Sequence, residues 1–254
     1  MNRLKTSKGL RTLYNKVYKK GKDDFFSFST DYITKEIIKS VNFKNKKVLE
    51  IGCGVGDTAL AIVKNGGKVL ATDFSKEAIA IAQKKKHCDL EFRATTYDKI
   101  DGKFDIIVLQ EVIEHMDKPL QDLRKLKKKL KRNGEIVITC PSFMNIRGYV
   151  WMTLVKLFDV PMSLSDINFL SPFDFEEYAK KLDMKLKWHT FNTDLGNNKK
   201  MLIDMKKRLN NALSDAKMKS DVKSLMKWLE KVSRFDHTSP TSGAKGFYIL
   251  KNKK

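Results

Sequence analysis

The stretch Val48-Leu49-Glu50-Ile51-Gly52-Cys53-Gly54-Val55-Gly56-Asp57 constrains this chain most. An apolar β-forming run breaks into three alternating glycines and an acid, and a helical pattern, Thr58 to Lys64, follows at once. Glycine at every second position lets the backbone take positive φ and lets a ligand lie against bare main chain, while the helix start offers N–H groups that have no intrahelical partner. Strand, tight turn and helix N-terminus in this order form a seat for a nucleoside-like cofactor. The spacing excludes two other glycine turns. Gly-x-Gly-x-Gly is not the Gly-x-Gly-x-x-Gly that sets a pyrophosphate on a helix start, and the Gly-Lys-Ser/Thr of a P-loop is missing.

A second strand, Val69 to Asp73, ends in an acid about twenty residues beyond the glycine turn, where a carboxylate can accept both hydroxyl protons of a ribose. Glu50-Ile51-Gly52-Cys53-Gly54-Val55-Gly56 followed by Thr72-Asp73-Phe74-Ser75 resembles the cofactor site of class I S-adenosylmethionine-dependent methyltransferases. The resemblance implies S-adenosylmethionine as cofactor, a Rossmann-like fold and a contact surface of Glu50, Gly52, Cys53, Gly54, Asp73, Phe74 and Ser75. It further implies Gln110, at the end of a fourth strand, and Thr95 and Thr96, in the loop that meets the adenine in that family.

The 254 residues suit one α/β domain with additions, and 41% hydrophobic content is enough for a sizeable core. No stretch reaches the run of about 18 apolar residues that spans a bilayer, and the basic N-terminus lacks the apolar segment of a secretory signal, so a cytoplasmic protein is expected. Cys53, Cys88 and Cys140 are isolated, in or beside core strands, and read as small reduced core residues and not as a disulfide framework or zinc knuckle. The formal charge of +21 favours anionic partners such as nucleic acid, anionic lipid or phosphorylated substrates without choosing among them; lysine predominance is equally expected of a basic composition with no dedicated binding face.

Along the chain, residues 1–25 interleave eight basic residues with Leu10, Leu13, Tyr14, Val17 and Tyr18 at helical spacing, a helix that either closes over the cofactor as a lid or docks on the domain. Asp31 to Ser40 reads as a helix with Ile33, Ile37 and Ile38 toward a sheet. After the second strand, Ser75 caps a helix Lys76 to Lys86. Strands follow at Leu90 to Ala94 and Phe104 to Gln110. A helix over Pro119 to Lys131 has Leu120, Leu123, Leu126 and Leu130 inward, and Asn133-Gly134 closes it. Its basic run, Arg124 to Arg132, suits nucleic acid, but a solvated helix face is the simpler account. Glu135 to Cys140 is the fifth strand. Residues 141–172 read as an aromatic and aliphatic insertion over the substrate side, with a helix from Phe173 to Leu182 and a sixth strand from Met184 to Phe191 after it. Residues 197–233 read as an inserted helical hairpin, and Gly246 to Leu250 as a last strand. Strands alternating with helices predict a doubly wound, mostly parallel seven-stranded sheet in one domain, with ligands beyond the carboxyl ends of its strands.

Methyl transfer is an in-line displacement, so the protein must align donor and acceptor and deal with the acceptor's proton. Gln110-Glu111-Val112-Ile113-Glu114-His115 ends the fourth strand above the cofactor, and Glu111, Glu114 and His115 gather on one face of a helical turn. They are the candidate catalytic residues. They can hold a divalent cation (Mg, Mn or Zn) with Asp166 and His189 as additional ligands, or serve without metal as a polar cradle with His115 as general base. Within the class, the order Glu111 to Pro119, Thr139 to Asn145 and Ser165-Asp166 to Pro172 resembles ubiquinone-biosynthesis O-methyltransferases. That resemblance implies O-methylation of a small or lipid-like hydroxylated acceptor and peripheral contact of the insertion with membrane. Small-RNA 2′-O-methyltransferases share Glu-x-x-Glu-His, making RNA the alternative acceptor; a cofactor-binding module without activity is the non-enzyme alternative. The hairpin at 197–233 belongs to neither pattern.

Overall fold

The long apolar runs become strands because each is buried on both faces, as parallel sheets require. The computed structural model describes residues 31–160, 166–193, 199–235 and 239–253; the helix expected at 1–25 lies outside the described residues. Helix α1 (Asp31–Ser40) precedes β1 (Lys47–Ile51), α2 (Asp57–Lys64), β2 (Lys68–Asp73), α3 (Lys76–Ala82), β3 (Leu90–Ala94) and β4 (Phe104–Gln110). Then come α4 (Pro119–Lys128), β5 (Leu130–Pro141), α5 (Ile146–Phe158), α6 (Pro172–Lys181), β6 (Met184–Phe191), α7 (Lys199–Asp215), α8 (Val222–Val232) and β7 (Lys245–Asn252).

The seven strands form one sheet in the order β3-β2-β1-β4-β5-β7-β6. All neighbours are parallel except β7, which runs antiparallel to both β5 and β6. The order reverses between β1 and β4, where a doubly wound sheet opens a crevice at its carboxyl edge. On one face Ile37 of α1, Ile62 of α2 and Ile79 of α3 share a core with Phe247 of β7; on the other Leu123 and Leu126 of α4 and Phe175 of α6 share one with Tyr248. Ser75 caps α3 by accepting from Ala78 N, and Ser171 with Asp174 forms a capping box at α6.

Three expectations are corrected. Helix α4 stops at Lys128, because Leu130 is already in β5 opposite Phe104, so Asn133-Gly134 lies within the strand and not at a helix end. The register slips there by a bulge between Phe104 and Ile106. Helix α3 ends at Ala82, four residues short of the expected Lys86. Cys88 is exposed, whereas Cys53 and Cys140 are buried. Arg124, Lys125 and Lys128 of α4 face solvent, with Leu123 and Leu126 inward, while half-buried Lys127 donates to Leu182 O.

The insertion and the hairpin, far apart in the chain, share a third core. Trp151 of α5 packs with Met201, Met205 and Leu209 of α7 and Met226 and Leu229 of α8, and Phe143 joins them. Within it Asp204 accepts from Arg147 Nη2 at 3.1 Å and Arg208 Nε at 2.8 Å, and Arg147 stacks over the Trp151 ring at 4.4 Å. No described helix is long and apolar enough to cross a membrane.

Candidate active site

The turn after β1 is pinned to β2. Gly52 N and Cys53 N both donate to Thr72 O, at 2.7 and 3.0 Å. Gly52, Gly54 and Gly56 have φ of 69°, 52° and 82°, a region where side chains are strained. At Gly52 a Cβ would also fall 2.5 Å from Val112 in the loop after β4, so this glycine lets the two carboxyl-edge loops meet.

Asp73 organises the turn. Its Oδ2 accepts from Gly54 N at 2.9 Å and its Oδ1 from Ser75 N at 2.8 Å. Burial raises its pKa, and the Ser75, Gly54 and Phe74 N–H groups pull it back. Each carboxylate oxygen keeps a lone pair for a ribose hydroxyl. Beneath it, Glu50 is buried with Oε2 lacking a hydrogen-bond partner. Burial first, then Asp73 and Asp57, push its pKa up to about 8. Asp57 is paired with Lys85 at 3.4 Å, whereas Glu50 keeps one unpartnered oxygen, which suits a ligand that brings its own positive charge, and S-adenosylmethionine carries an ammonium and a sulfonium. Cys53 has its thiol pushed up chiefly by burial, with Glu50 and Asp73 adding, so it is a packing residue of the turn and no nucleophile.

Gln110 is held by a relay. Thr58 Oγ1 donates to Gln110 Oε1 at 2.6 Å, so the 2.6 Å contact between Thr34 and Thr58 hydroxyls has Thr34 as donor. The relay ties α1 and α2 to the end of β4. Thr95 and Thr96 stand half-buried after β3, and Thr96 Oγ1 donates to Asp98 Oδ2 at 3.2 Å. Tyr97, next in line, donates to Asp122 of α4 at 2.6 Å.

The acidic stretch after β4 divides. Glu114 and His115 lie in a 3₁₀ turn, Ile113–His115, and join Asp166, their ligand atoms all within 4.8 Å of one another. Asp166 Oδ1 faces His115 Nδ1 at 3.7 Å. The Asp166 loop is stapled to this turn: Ile167 N and Asn168 N both donate to Glu114 O at 2.9 Å, and Asn168 Nδ2 donates to Met116 O at 2.6 Å. Glu114 is buried with Oε2 unpartnered, and its pKa is raised well above the ordinary value by burial, then by Glu111 and Asp166. Glu111 is not one of these mutually close ligands, although among charged groups it acts most strongly on Glu114. It has φ 54° and pairs through Oε2 with Lys245 at the start of β7. His189 also stands apart, its Nε2 2.8 Å from Glu36 of α1 and its ring stacked on Phe247.

A family model described as a methyltransferase domain matches residues 28–187, more than half of the chain. The chain belongs to this methyltransferase family. Its seven-stranded sheet and glycine turn are those of the class I S-adenosylmethionine-dependent methyltransferase fold. Among similar proteins, the mitochondrial ubiquinone biosynthesis O-methyltransferase of Schizosaccharomyces pombe is 31% identical over 138 residues, 50% of this chain and 49% of the relative. The ubiquinone biosynthesis O-methyltransferase of Actinobacillus pleuropneumoniae serotype 7 is 31% identical over 171 residues, 62% of this chain and 68% of the relative. The methyltransferase thus spans about half the length of the first of these. A solved S-adenosylmethionine-dependent methyltransferase from Archaeoglobus fulgidus superposes with a TM-score of 0.59, covering 95% of this chain and 99% of its own at 16% identity, a likeness of fold.

Two residues that the sequence reading left out complete the site. Thr58 buttresses Gln110, and only its position on the first turn of α2 marked it; Lys245 opposes Glu111, with no local signal at all.

Proposed function

We propose that this methyltransferase transfers the methyl of S-adenosylmethionine to a hydroxyl of a small or lipid-like acceptor, held over Glu114, His115 and Asp166 with a divalent cation. One observation carries the cation reading. A buried carboxyl with an unpartnered oxygen, an imidazole and a second carboxylate converge within 4.8 Å beside the cofactor turn. Two carboxylates and one imidazole suit Mg, Mn or Zn and leave coordination positions for acceptor oxygens. The names of the relatives support oxygen as the methylated atom. Tyr149, Leu157 and Phe158, exposed along α5, suit an apolar acceptor and peripheral contact with a lipid surface better than RNA, which asks for basic groups around stacking aromatics.

Bound S-adenosylmethionine supplies an electrophilic methyl on sulfur, and a cation would polarise the acceptor oxygen. The chain's own residues do the rest. Glu50 meets the ammonium, Asp73 the ribose hydroxyls, and the Thr34–Thr58–Gln110 relay fixes the end of β4 on which the acceptor residues hang. With the cation held by Glu114, His115 and Asp166, the acceptor hydroxyl would be acidified and would lose its proton to water on methylation; without a cation, His115, whose Nδ1 faces Asp166 Oδ1 at 3.7 Å, would take that proton instead.

The test measures S-adenosylhomocysteine release with alkylated dihydroxybenzenes, with RNA, and with each after chelation. Turnover of the dihydroxybenzenes that stops with chelator and returns with magnesium, manganese or zinc, at unchanged cofactor affinity, is the expected result. Turnover of RNA alone overturns the acceptor assignment. Turnover indifferent to chelator but lost in His115→Ala replaces the cation with a metal-free general base.

A further inference from the structure

The turn that leads into β3 gathers three metal-binding side chains in consecutive positions, away from the cofactor seat. Leu90, the first residue of β3, pairs with Val69 near the start of β2, whereas Ala94, its last, pairs with Asp73. The main chain fixes this turn twice: Leu90 N donates to His87 O at 3.2 Å and Val69 N to Asp89 O at 2.8 Å. On it the ligand atoms of His87, Cys88 and Asp89 all lie within 4.8 Å of one another. Cys88 Sγ is 3.7 Å from His87 Nδ1 and 3.9 Å from Asp89 Oδ2. Zinc bonds of about 2.0–2.3 Å to nitrogen, oxygen and sulfur make a tetrahedron with edges of about 3.3–3.8 Å, so small side-chain rotations bring all three atoms onto one ion.

Each ligand is poised for this. Asp89 N donates to His87 Nδ1 at 3.2 Å, so that nitrogen carries its lone pair toward the cluster and leaves the ring proton to Nε2; a metal takes the place of this long bond. Asp89 turns Oδ1 toward Lys68 Nζ at 3.9 Å, which leaves Oδ2 for the cluster. His87 and Cys88 are exposed and Asp89 is half-buried, so an ion reaches them without any opening of the fold. The surrounding charge selects the kind of ion. Lys84 and Lys86 are exposed beside the turn, while Lys85 reaches the other way and donates to Val55 O at 2.6 Å. With Lys68, these ammonium groups deplete a hard cation held by charge alone, and a single carboxylate is too few oxygens for magnesium or calcium. A thiophilic cation bonded through thiolate and imidazole is not limited in that way.

We propose that His87, Cys88 and Asp89 form a zinc site, with water in the fourth position, that ties off the turn entering β3, the edge strand of the sheet. Binding releases the Cys88 thiol proton to solvent as the sulfur–zinc bond forms, and no oxidation state changes. The site shares no ligand with Glu114, His115 and Asp166 and stands or falls independently of the cation reading of that cluster.

The experiment titrates Co²⁺ into the full chain, kept reduced and without cofactor or acceptor, for the wild type, Cys88→Ser, His87→Ala and Glu114→Gln, and then displaces it with Zn²⁺. A thiolate bound to cobalt gives a sulfur-to-metal charge-transfer band in the near ultraviolet, which carboxylates and imidazoles alone do not. Wild type and Glu114→Gln should both develop the band and lose it to Zn²⁺, with a zinc Kd of about 1 μM or below. Cys88→Ser should show no band while unfolding at the wild-type temperature in chelator, because the thiol it replaces is exposed. His87→Ala should weaken zinc by at least about tenfold. No band in folded wild type overturns the proposal. So does a band that survives in Cys88→Ser or disappears in Glu114→Gln, since the sulfur would then be that of a buried cysteine, such as Cys140 beside Glu114. Saturation only at millimolar zinc overturns it as well, leaving an adventitious ion. The chelator test of turnover in Cys88→Ser addresses the acceptor cluster separately, so the failure of one reading is not the failure of the other.

Discussion

Replacing Glu50 with glutamine should change how the free protein's stability depends on pH, and the size of the change follows from its burial. In the unfolded chain this carboxyl titrates at its ordinary 4.5; in the folded protein burial, Asp73 and Asp57 push it up to about 8. Between these values the folded state keeps a proton that the unfolded state has released, so the contribution of the group is full below 4.5 and is lost as pH rises to about 8. The slope is about 1.4 kcal/mol per pH unit inside the window, and the loss between pH 5 and pH 8 comes to about 3.5 kcal/mol. For a chain of this size that is about 10 °C in Tm. Glutamine keeps the shape of the protonated acid and does not titrate. Scanning calorimetry of both proteins without cofactor should therefore show the variant gaining about 10 °C on the wild type across that interval. Saturating S-adenosylmethionine should narrow the gap, since its ammonium stabilises the ionised wild-type carboxylate and finds no charge in the variant. Wild type and Glu50→Gln running parallel from pH 5 to pH 8 would refute the reasoning, because Glu50 would then be ionised in the folded protein and not short of a counter-charge.

Two further perturbations probe the same seat. Asp73→Ala removes the acceptor for Gly54 N, Ser75 N and the ribose, and should weaken S-adenosylmethionine by about 1.5–3 kcal/mol in calorimetry; unchanged affinity would dismiss Asp73 as the ribose contact. Gly52→Ala puts a Cβ at φ 69° and 2.5 Å from Val112, and should cost about 1–3 kcal/mol in urea unfolding while loosening the cofactor seat; a neutral effect would mean that the two loops separate easily.

What the residues revealed ahead of the structure sorts by distance along the chain. The glycine turn, the Ser75 cap and Asp73 were legible because each makes its bonds within about twenty residues, and the apolar strands because burial on both faces leaves no other composition. The end of α4 was misplaced for a physical reason: Leu130 continues the helical spacing of Leu123 and Leu126, and only Phe104, a strand away, draws it into the sheet. Asp166 was read as a supplementary ligand, and the backbone bonds from Ile167 and Asn168 to Glu114 are what bring it to His115. Glu111 looked equivalent to Glu114 on a helical turn, but its left-handed φ ends the strand abruptly and turns it to Lys245.

Lys245 marks where sequence reading runs out. It is one of 51 basic residues, and nothing beside it distinguishes it from lysines that only face water. The antiparallel final strand gives it a role, because reversing the direction of β7 delivers its first residue, and not its last, to the carboxyl edge of the parallel strands. The helical cap is hidden in the same way. The amphipathic stripes of α5, α7 and α8 were readable one by one, but Trp151 packs against Met201 and Met205 across fifty residues of intervening chain that carry α6 and β6. Arg147 links that cap to the site: buried, it pairs with Asp204 of α7 and lies within electrostatic reach of Asp166. The part of the molecule that departs from the family pattern is thus joined, through Arg147 and through Phe169 packed on Phe143, to the part that would hold the acceptor, which is where a difference in acceptor from the relatives would be built.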